Sequence, residues 1–494
     1  MSRLVVVSNR VALPEEFKPG GLASGMLAAL REIGGIWFGW SGKLAEDGGS
    51  TVRVTNSKNI TFATIDLSRR DHGDYYAGFA NRTLWPLFHF RPSLVDFDRS
   101  AYDGYLRVNT LFADRLAELL EPDDVVWIHD YHLIPLAQHL RARGVRSRLG
   151  FFLHTPFPPI EILSMLPVHR ELFESLTSYD LVGFQTDGYM RAFRDYLIEE
   201  AHAEVNEHGL ISLQGGRRNF RAGCFPIGID VGAVARLAEE AVGQPAYEQL
   251  RTSIDNRTLV IGVDRLDYSK GLPERFITFG RMLETRPEWL RRVTLLQIAP
   301  SSRGEVAEYR KLRRELERIA GSINGRYATP DWVPVRYVNR GYDHRTLMGF
   351  YRLAKVGLVT PLRDGMNLVA KEYLASQDPD DPGVLVLSRF AGAARELRAA
   401  LLVNPYDVEG TAETLRAALS MSQADRIARW RDCMDVLRAN DITAWRQRFL
   451  ALLMAGSPTH DFTAPPANDG GKPDGSGAPV VPTHAASRSR RAAG

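Results

Sequence analysis

VGLVTPLRDGMNLVAKEY, residues 356–373, is the stretch on which the reading of the fold turns. An apolar run of strand composition stops at the turn Arg363-Asp364-Gly365, and a segment of helical spacing follows, with a second acid, Glu372, on its second turn. Strand, tight turn and helix form the repeating step of a parallel sheet, and ligands of such sheets bind at the carboxyl ends of the strands. The same step recurs along the chain. Runs rich in Val, Ile and Leu end at polar or glycine turns in LVVVSNR, DVVWIHD, RLGFFLH and YDLVGFQT, and again in TLVIGVDRLD, VTLLQIAP, VPVRYVN, VGLVTPL and GVLVLS. Between the two sets lie GCFPIGID, at 223–230, and an Ala-rich helical segment, a natural crossing between domains. The expected architecture is therefore α/β, with two doubly wound Rossmann-like domains facing across a cleft, one over residues 1–235 and the other over 236–440. A C-terminal helix over 441–456 is expected to pack back on the N-terminal domain. Residues 457–494 are rich in Pro, Gly, Ala and Ser with few large apolar side chains, the composition of a disordered tail.

Composition narrows the function classes. The chain of 494 residues carries 62 Lys and Arg against 59 Asp and Glu, a net charge of +3, which suits small anionic substrates better than a nucleic-acid surface. Cys224 and Cys433 are the only cysteines and match no metal or redox spacing. No run of 18 apolar residues and no signal-peptide pattern is present, so a cytoplasmic protein without a membrane partner is expected, and a homo-oligomer is compatible with the sequence.

The residues that end the strand runs are the candidates for chemistry: Arg10, Asp130, His154, Arg265 with Lys270, Arg303, and Asp364. Each alone reads more readily as a solvated turn or helix cap, but charged groups end strands in both halves and would face one another. Gly20 and Gly21 precede a helical segment whose first amides could approach a phosphate, or simply make a turn. The pattern is not that of a dinucleotide dehydrogenase, since GGIWFGWSGK supplies no strand ending in an acid. In GVDRLDYSKGLPERF two cations, Arg265 and Lys270, share a loop with a helix start and suit a pyrophosphate leaving group, unless Arg265 pairs with Asp264 or Asp267. With phosphates held there and at the amides of Asn367 and Leu368, the acids of the opening stretch would face neutral hydroxyls. Asp364 would address a transferred sugar and Glu372 the two hydroxyls of a ribose. The alternative has Asp364 capping the helix and Glu372 paired with Lys371 or Arg363 on a solvated face. Trp40, Tyr76 and Trp85 could be core, or rings beside Arg10 that suit an anionic sugar. The Asp-x-Asp pairs at Asp96–Asp98 and Asp378–Asp380 read as solvated turns, and no metal or other cofactor is expected beyond the donor substrate.

At these residues the chain resembles the trehalose-6-phosphate synthases, retaining glycosyltransferases of the GT-B fold. The resemblance runs over about residues 1–455 through RLVVVSNR, GGLASG, WFGWSG, WIHDYHL, HTPFP, GVDRLDYSKG, QIAPSSRG, TPLRDGMNLVAKEY and FAGAARELRAALLVNPYD. It implies glucose 6-phosphate as acceptor, its phosphate held by Arg10, Tyr76 and Arg303 with Trp40 close by, and Asp130 on its hydroxyls. Trp85 and His154 would line the reacting face, with His154 hydrogen-bonded to the donor sugar. It implies UDP-glucose as donor, meeting Gly20, Gly21, Arg265, Lys270, the backbone near Tyr342, Asp364, and the run Asn367, Leu368, Val369, Ala370, Lys371 and Glu372. Tyr342 stands where the family commonly has Phe, and the loop LPEEFKPGG is short. The implied reaction keeps the donor's anomeric configuration, with departure and attack on the same face through an oxocarbenium ion pair. Two other readings stay open: a relative with another nucleotide sugar or polyol-phosphate acceptor, and a non-catalytic sugar-phosphate sensor.

Overall fold

The computed structural model describes residues 2–13, 21–46, 51–206, 209–213, 219–301 and 307–455. In chain order its first strands are β1 (Leu4–Arg10), β2 (Gly35–Leu44), β3 (Arg53–Ser57), β4 (Ile60–Leu67), β5 (Val125–His129), β6 (Arg148–Phe152), β7 (Leu181–Phe184), β8 (Ala203–Val205), β9 (Leu210–Leu213) and β10 (Asn219–Cys224). They form one sheet in the order β3-β4-β2-β1-β5-β6-β7-β10-β9-β8, parallel from β4 to β10 and antiparallel at both edges. The remaining strands, β11 (Thr258–Val263), β12 (Val293–Ile298), β13 (Val335–Val338), β14 (Val356–Val359), β15 (Val384–Ser388) and β16 (Leu401–Val403), form a second, all-parallel sheet in the order β13-β12-β11-β14-β15-β16. Helices cover both faces, so β1, β5, β12, β14 and β15 are almost wholly buried, which is why they read as unbroken Val, Ile and Leu runs.

Strand order places the site. In the first sheet the chain winds outward from β1 toward β2 and β4, then reverses to β5. In the second it winds from β11 through β12 to β13, then reverses to β14. A crevice opens at each reversal because the connections leave in opposite directions, and ligands of doubly wound sheets bind there. Arg10, Asp130, the Arg265–Lys270 loop and Asp364 follow β1, β5, β11 and β14, the four strands at these two reversals.

The two sheets share a core. Trp37, Trp127 and Phe152 belong to the same buried cluster as Val234, Ile261, Met348 and Tyr373. The last described helix, Ile442–Met454, returns to the first sheet: Phe449 stacks on Trp127 at 4.8 Å, and Trp445 packs edge-on to Phe152 at 5.2 Å. Glycine makes room for it. A Cβ at Gly150 would lie 2.7 Å from Leu453 Cδ2, and one at Gly183 would lie 2.7 Å from Phe449 Cε2. Among the described residues no helix is long and apolar enough to cross a membrane. The tail expected over 457–494 lies outside the described residues.

Candidate active site

The turn after β14 is held from three sides. Asp364 accepts from Lys270 Nζ at 2.6 Å and from Asn367 Nδ2 at 3.0 Å, and its carbonyl accepts from the Tyr189 hydroxyl at 3.1 Å. Lys270 and Asp364, read from sequence as partners of a phosphate and a sugar, are thus a direct ion pair, with side chains 12% and 14% exposed. Asn367, not Asp364, caps the helix Leu368–Ala375: it sits at φ +75° and its Oδ1 accepts from Ala370 N at 3.2 Å. Its side chain also steers the Asp364 carboxylate, so one residue orders both the helix amides and the acid before them. Arg363 is not on a solvated face either, because its guanidinium lies 3.9 Å over the Phe90 ring and 5.2 Å from that of Phe390.

Glu372 is buried on the same helix. Burial pushes its carboxyl up to about 7, while His344 Nε2, 3.9 Å from Oε1, is itself held below the usual imidazole range by burial. A neutral imidazole gives the acid no countercharge, so Glu372 is not the salt-bridged surface residue of the alternative reading. Lys371 does not pair with it. The Lys371 ammonium bonds Glu396 Oε2 at 2.6 Å and Ile227 O at 2.7 Å, tying the helix to the first half of the chain, so what Lys371 can offer a ligand is main chain. Leu368 and Val369 are partly exposed and Ala370 is buried. Tyr342 packs its ring on Phe350 at 5.1 Å and beneath Arg340 at 5.1 Å.

The loop after β11 carries the two cations. Asp264 bonds Arg275 at 2.7 Å, and Asp267 accepts from Ser269 N at 2.9 Å and from Tyr309 at 3.1 Å. Arg265 is exposed, with its guanidinium 5.7 Å over the Trp85 ring, and Trp85 Nε1 reaches Asp267 at 3.4 Å. Trp85 belongs to the first half, so it joins the two sides of the cleft. Arg275 was not singled out from sequence. Fully buried, it also bonds Gln297 at 2.8 Å and Thr360 at 3.1 Å, bracing the ends of β11, β12 and β14 from beneath. Its position five residues beyond Lys270, in the first turn of Leu272–Thr285, is the one available sequence signal.

Across the cleft, Arg10 ends β1 in register with Trp40. Trp40 packs on His72 at 5.4 Å and on Tyr76 at 5.8 Å, and Tyr76 stacks on His132 at 5.9 Å with 13° between planes. His72, Tyr76 and Trp85 come from the chain segment His72–Leu84 and the residue after it, where the helix widens to π-type turns, a departure found preferentially at functional sites. His72 and His132 were missed as site residues; the only signal for His132 was its place two residues after Asp130. Asp130 sits at φ +75°, strained for a residue with a Cβ, and its Oδ1 accepts from His154 N at 3.2 Å. Both His154 ring nitrogens are engaged within the protein, by His129 at 3.1 Å and by Gln185 at 3.3 Å, and burial lowers the imidazole to about 3. A donor hydroxyl would have to displace one of these partners to bond the ring. Gly365 meets His154 from the other half, so closely that a Cβ there would lie 1.8 Å from His154 O. Gly21 begins the helix Gly21–Ile33, whereas Gly20 and Arg303 lie outside the described residues.

One member of each Asp-x-Asp pair has another partner: Asp98 caps the helix Arg99–Ala117 through Ala101 N at 2.9 Å, and Asp378 accepts from Arg352 at 3.2 Å, while the neighbouring Asp381 bonds Lys355 and Arg426.

The site thus sets two cations and two acids at the carboxyl ends of one sheet opposite an arginine, an acid and a ring wall at the ends of the other. Known proteins share this frame. A trehalose-6-phosphate synthase of Klebsiella pneumoniae is 51% identical over 93% of this chain and 96% of its own. A Burkholderia xenovorans UDP-forming trehalose-phosphate synthase in complex with glucose-6-phosphate superposes with a TM-score of 0.88 at 49% identity, over 92% of this chain and 100% of the other. An E. coli protein bound with UDP-2-fluoro glucose superposes at 0.87 and 49% identity, over 92% and 99%. The family model for glycosyltransferase family 20 matches residues 5–455, all but the start and the tail, and the chain belongs to that family.

Proposed function

We propose that the chain transfers glucose from UDP-glucose to glucose 6-phosphate with retention, giving α,α-trehalose 6-phosphate and UDP. The observation that carries this reading is the meeting of the two halves at the Lys270–Asp364 turn, where the Tyr189 hydroxyl bonds Asp364 and Gly365 abuts His154, in a chain about half identical to one protein solved with glucose-6-phosphate and another with UDP-2-fluoro glucose. Residues 1–235 supply most of the acceptor site: Arg10 and Tyr76 hold its phosphate beside Trp40, joined by Arg303 from the second half, and Asp130 takes its hydroxyls. Residues 236–440 bind the donor. Its diphosphate displaces Asp364 from Lys270 and settles on Lys270, Arg265 and the amides that open the helix Leu368–Ala375. Asp364, released, accepts from hydroxyls of the glucose. Glu372 takes the ribose hydroxyls, and main chain near Tyr342 meets the base.

The bond from the anomeric carbon to the phosphate oxygen breaks as the acceptor hydroxyl attacks from the same face. The acceptor's proton passes to the departing phosphate oxygen, so the products are the disaccharide phosphate and UDP. Lys270 and Arg265 stabilise the charge that develops on the leaving group, and the Asp364 carboxylate lies where positive charge develops on the sugar. No metal is required in this scheme, because the two cations supply the neutralisation. Trp85, between Arg265 and Asp267, makes the acceptor wall sensitive to the donor loop. The reaction belongs in the cytoplasm, where nucleotide-activated sugars are made. A panel of nucleotide glucoses and sugar-phosphate acceptors tests the assignment: turnover is expected with UDP-glucose and glucose 6-phosphate. Turnover only with another pair would replace the substrates, and binding without turnover would make the chain a sensor.

A further inference from the structure

Four groups form a polar row across the carboxyl ends of neighbouring strands. His129 ends β5, His154 lies two residues beyond β6, Gln185 follows β7 and Ile227 lies just past β10, and these strands are successive neighbours in the sheet. The row begins at a donor that cannot change. The peptide N–H of Ile227 donates to Gln185 Oε1 at 3.0 Å. Turning the amide over would set its NH₂ against that N–H, two donors face to face in a buried place, since Gln185 is 2% exposed. Gln185 Nε2 therefore faces His154 Nδ1, at 3.3 Å, and that nitrogen must accept. The proton of a neutral His154 is left on Nε2, from which it donates to His129 Nδ1 at 3.1 Å. His129 in turn carries its proton on Nε2, a buried atom with no hydrogen-bond partner among the described residues, and there the row ends.

We propose that Gln185 is a positioning residue that fixes His154 in the neutral Nε2–H tautomer and bars it from acting as a proton acceptor during transfer. Protonation of Nδ1 would set an N–H against the Gln185 amide donor. The groups around the imidazole offer no compensation: His129 and Gln185 bond it, Phe152 and Trp445 pack on it, and the nearby Asp130 carboxylate is turned to the His154 peptide N–H. Burial works in the same direction on both histidines. The consequence for the reaction rests on the function proposed above. With His154 unable to take the acceptor's proton, the imidazole drops out as a base, in keeping with proton transfer to the departing phosphate oxygen.

The tautomer can be read without turnover, so its failure is distinguishable from failure of the functional reading. In the full-length protein labelled with ¹⁵N-histidine, long-range ¹H–¹⁵N correlation should show His154, assigned by its loss in His154→Asn, with a protonated Nε2 and a bare Nδ1 from pH 5.5 to 8.5. A protonated Nδ1 or an imidazolium in that range would overturn the proposal. Gln185→Glu keeps an acceptor for Ile227 N–H but presents an acceptor to Nδ1. It should move the proton to Nδ1 or charge the ring, lower kcat at least tenfold, and add an ionisation to the pH profile of kcat that Gln185→Met does not show. An unaltered tautomer and profile in Gln185→Glu would equally overturn it; if that variant does not fold, the spectrum of the parent protein decides alone.

Discussion

Asp364→Asn should strengthen UDP binding while nearly abolishing transfer. The Asp364 carboxylate holds Lys270 at 2.6 Å, with both side chains largely out of water. A diphosphate must break that pair before Lys270 can serve it, and it arrives with its own negative charge beside the acid. Two unit charges about 4 Å apart interact by about 4 kcal/mol at an effective dielectric near 20. Most of this is recovered when phosphate oxygens replace the carboxylate on the ammonium, so the net penalty lies between an ordinary and a charged hydrogen bond, about 1 to 2 kcal/mol. Asparagine keeps the shape and an oxygen for Asn367 Nδ2 but removes the charge. UDP should therefore bind roughly five- to thirtyfold more tightly. The same change removes a negative charge where an oxocarbenium ion forms, and turnover should fall by roughly 10² to 10³. Titration calorimetry with UDP and saturation kinetics measure both. A variant that binds UDP more weakly than the parent would refute the reasoning, since it would make Asp364 a holder of the nucleotide rather than a restraint on Lys270.

Glu372 should give UDP affinity a pH dependence. Its carboxyl, raised to about 7, is largely protonated below that value and is needed ionised for the ribose hydroxyls, so UDP should bind more tightly as pH rises from 6 to 8, and Glu372→Gln should flatten the curve. Folding runs the other way: a carboxyl raised above its unfolded value makes the native state bind the extra proton, so stability from this group is present at low pH and lost as pH rises through about 7, by roughly 3 kcal/mol in all. Chemical denaturation at pH 5 and pH 8, in the parent and Glu372→Gln, reads that difference. Arg10→Ala should weaken glucose 6-phosphate by about 1.5 to 3 kcal/mol and leave UDP unchanged; equal weakening of both ligands would remove Arg10 from the acceptor side. Gly183→Ala should lower stability by about 1 to 3 kcal/mol, because the new methyl meets Phe449 and Phe152. A melting temperature equal to the parent's would show that the C-terminal helix yields there.

The nine strand runs read from sequence, among them DVVWIHD and VGLVTPL, are all strands of the structure, because strands buried on both faces must be apolar throughout. β2 was passed over, since glycines and tryptophans break its aliphatic run, and so were the antiparallel edge strands β3, β8 and β9, which are short and partly exposed. In the site, what could be read was which residues end strands. What could not be read was which of them touch. Lys270 and Asp364 stand 94 residues apart and read as partners of two different parts of one donor, its diphosphate and its sugar, whereas the reversal of strand order at β11 and β14 makes them neighbours of each other. Arg275 and Gln185 escaped notice for a related reason: each looks like an ordinary polar residue of a helix or a strand end until the strands beside it are known.

Transfer of glucose to the anomeric oxygen of glucose 6-phosphate with retention is read directly from the linkage formed. The direct measurement is NMR of the products formed from UDP-glucose ¹³C-labelled at its anomeric carbon, with unlabelled glucose 6-phosphate as acceptor. One labelled α-anomeric carbon is expected, bonded through oxygen to the α-anomeric carbon of the acceptor, in a disaccharide carrying the phosphate, with one UDP released per linkage. A labelled carbon in the β configuration, or label recovered only as free glucose, would contradict it.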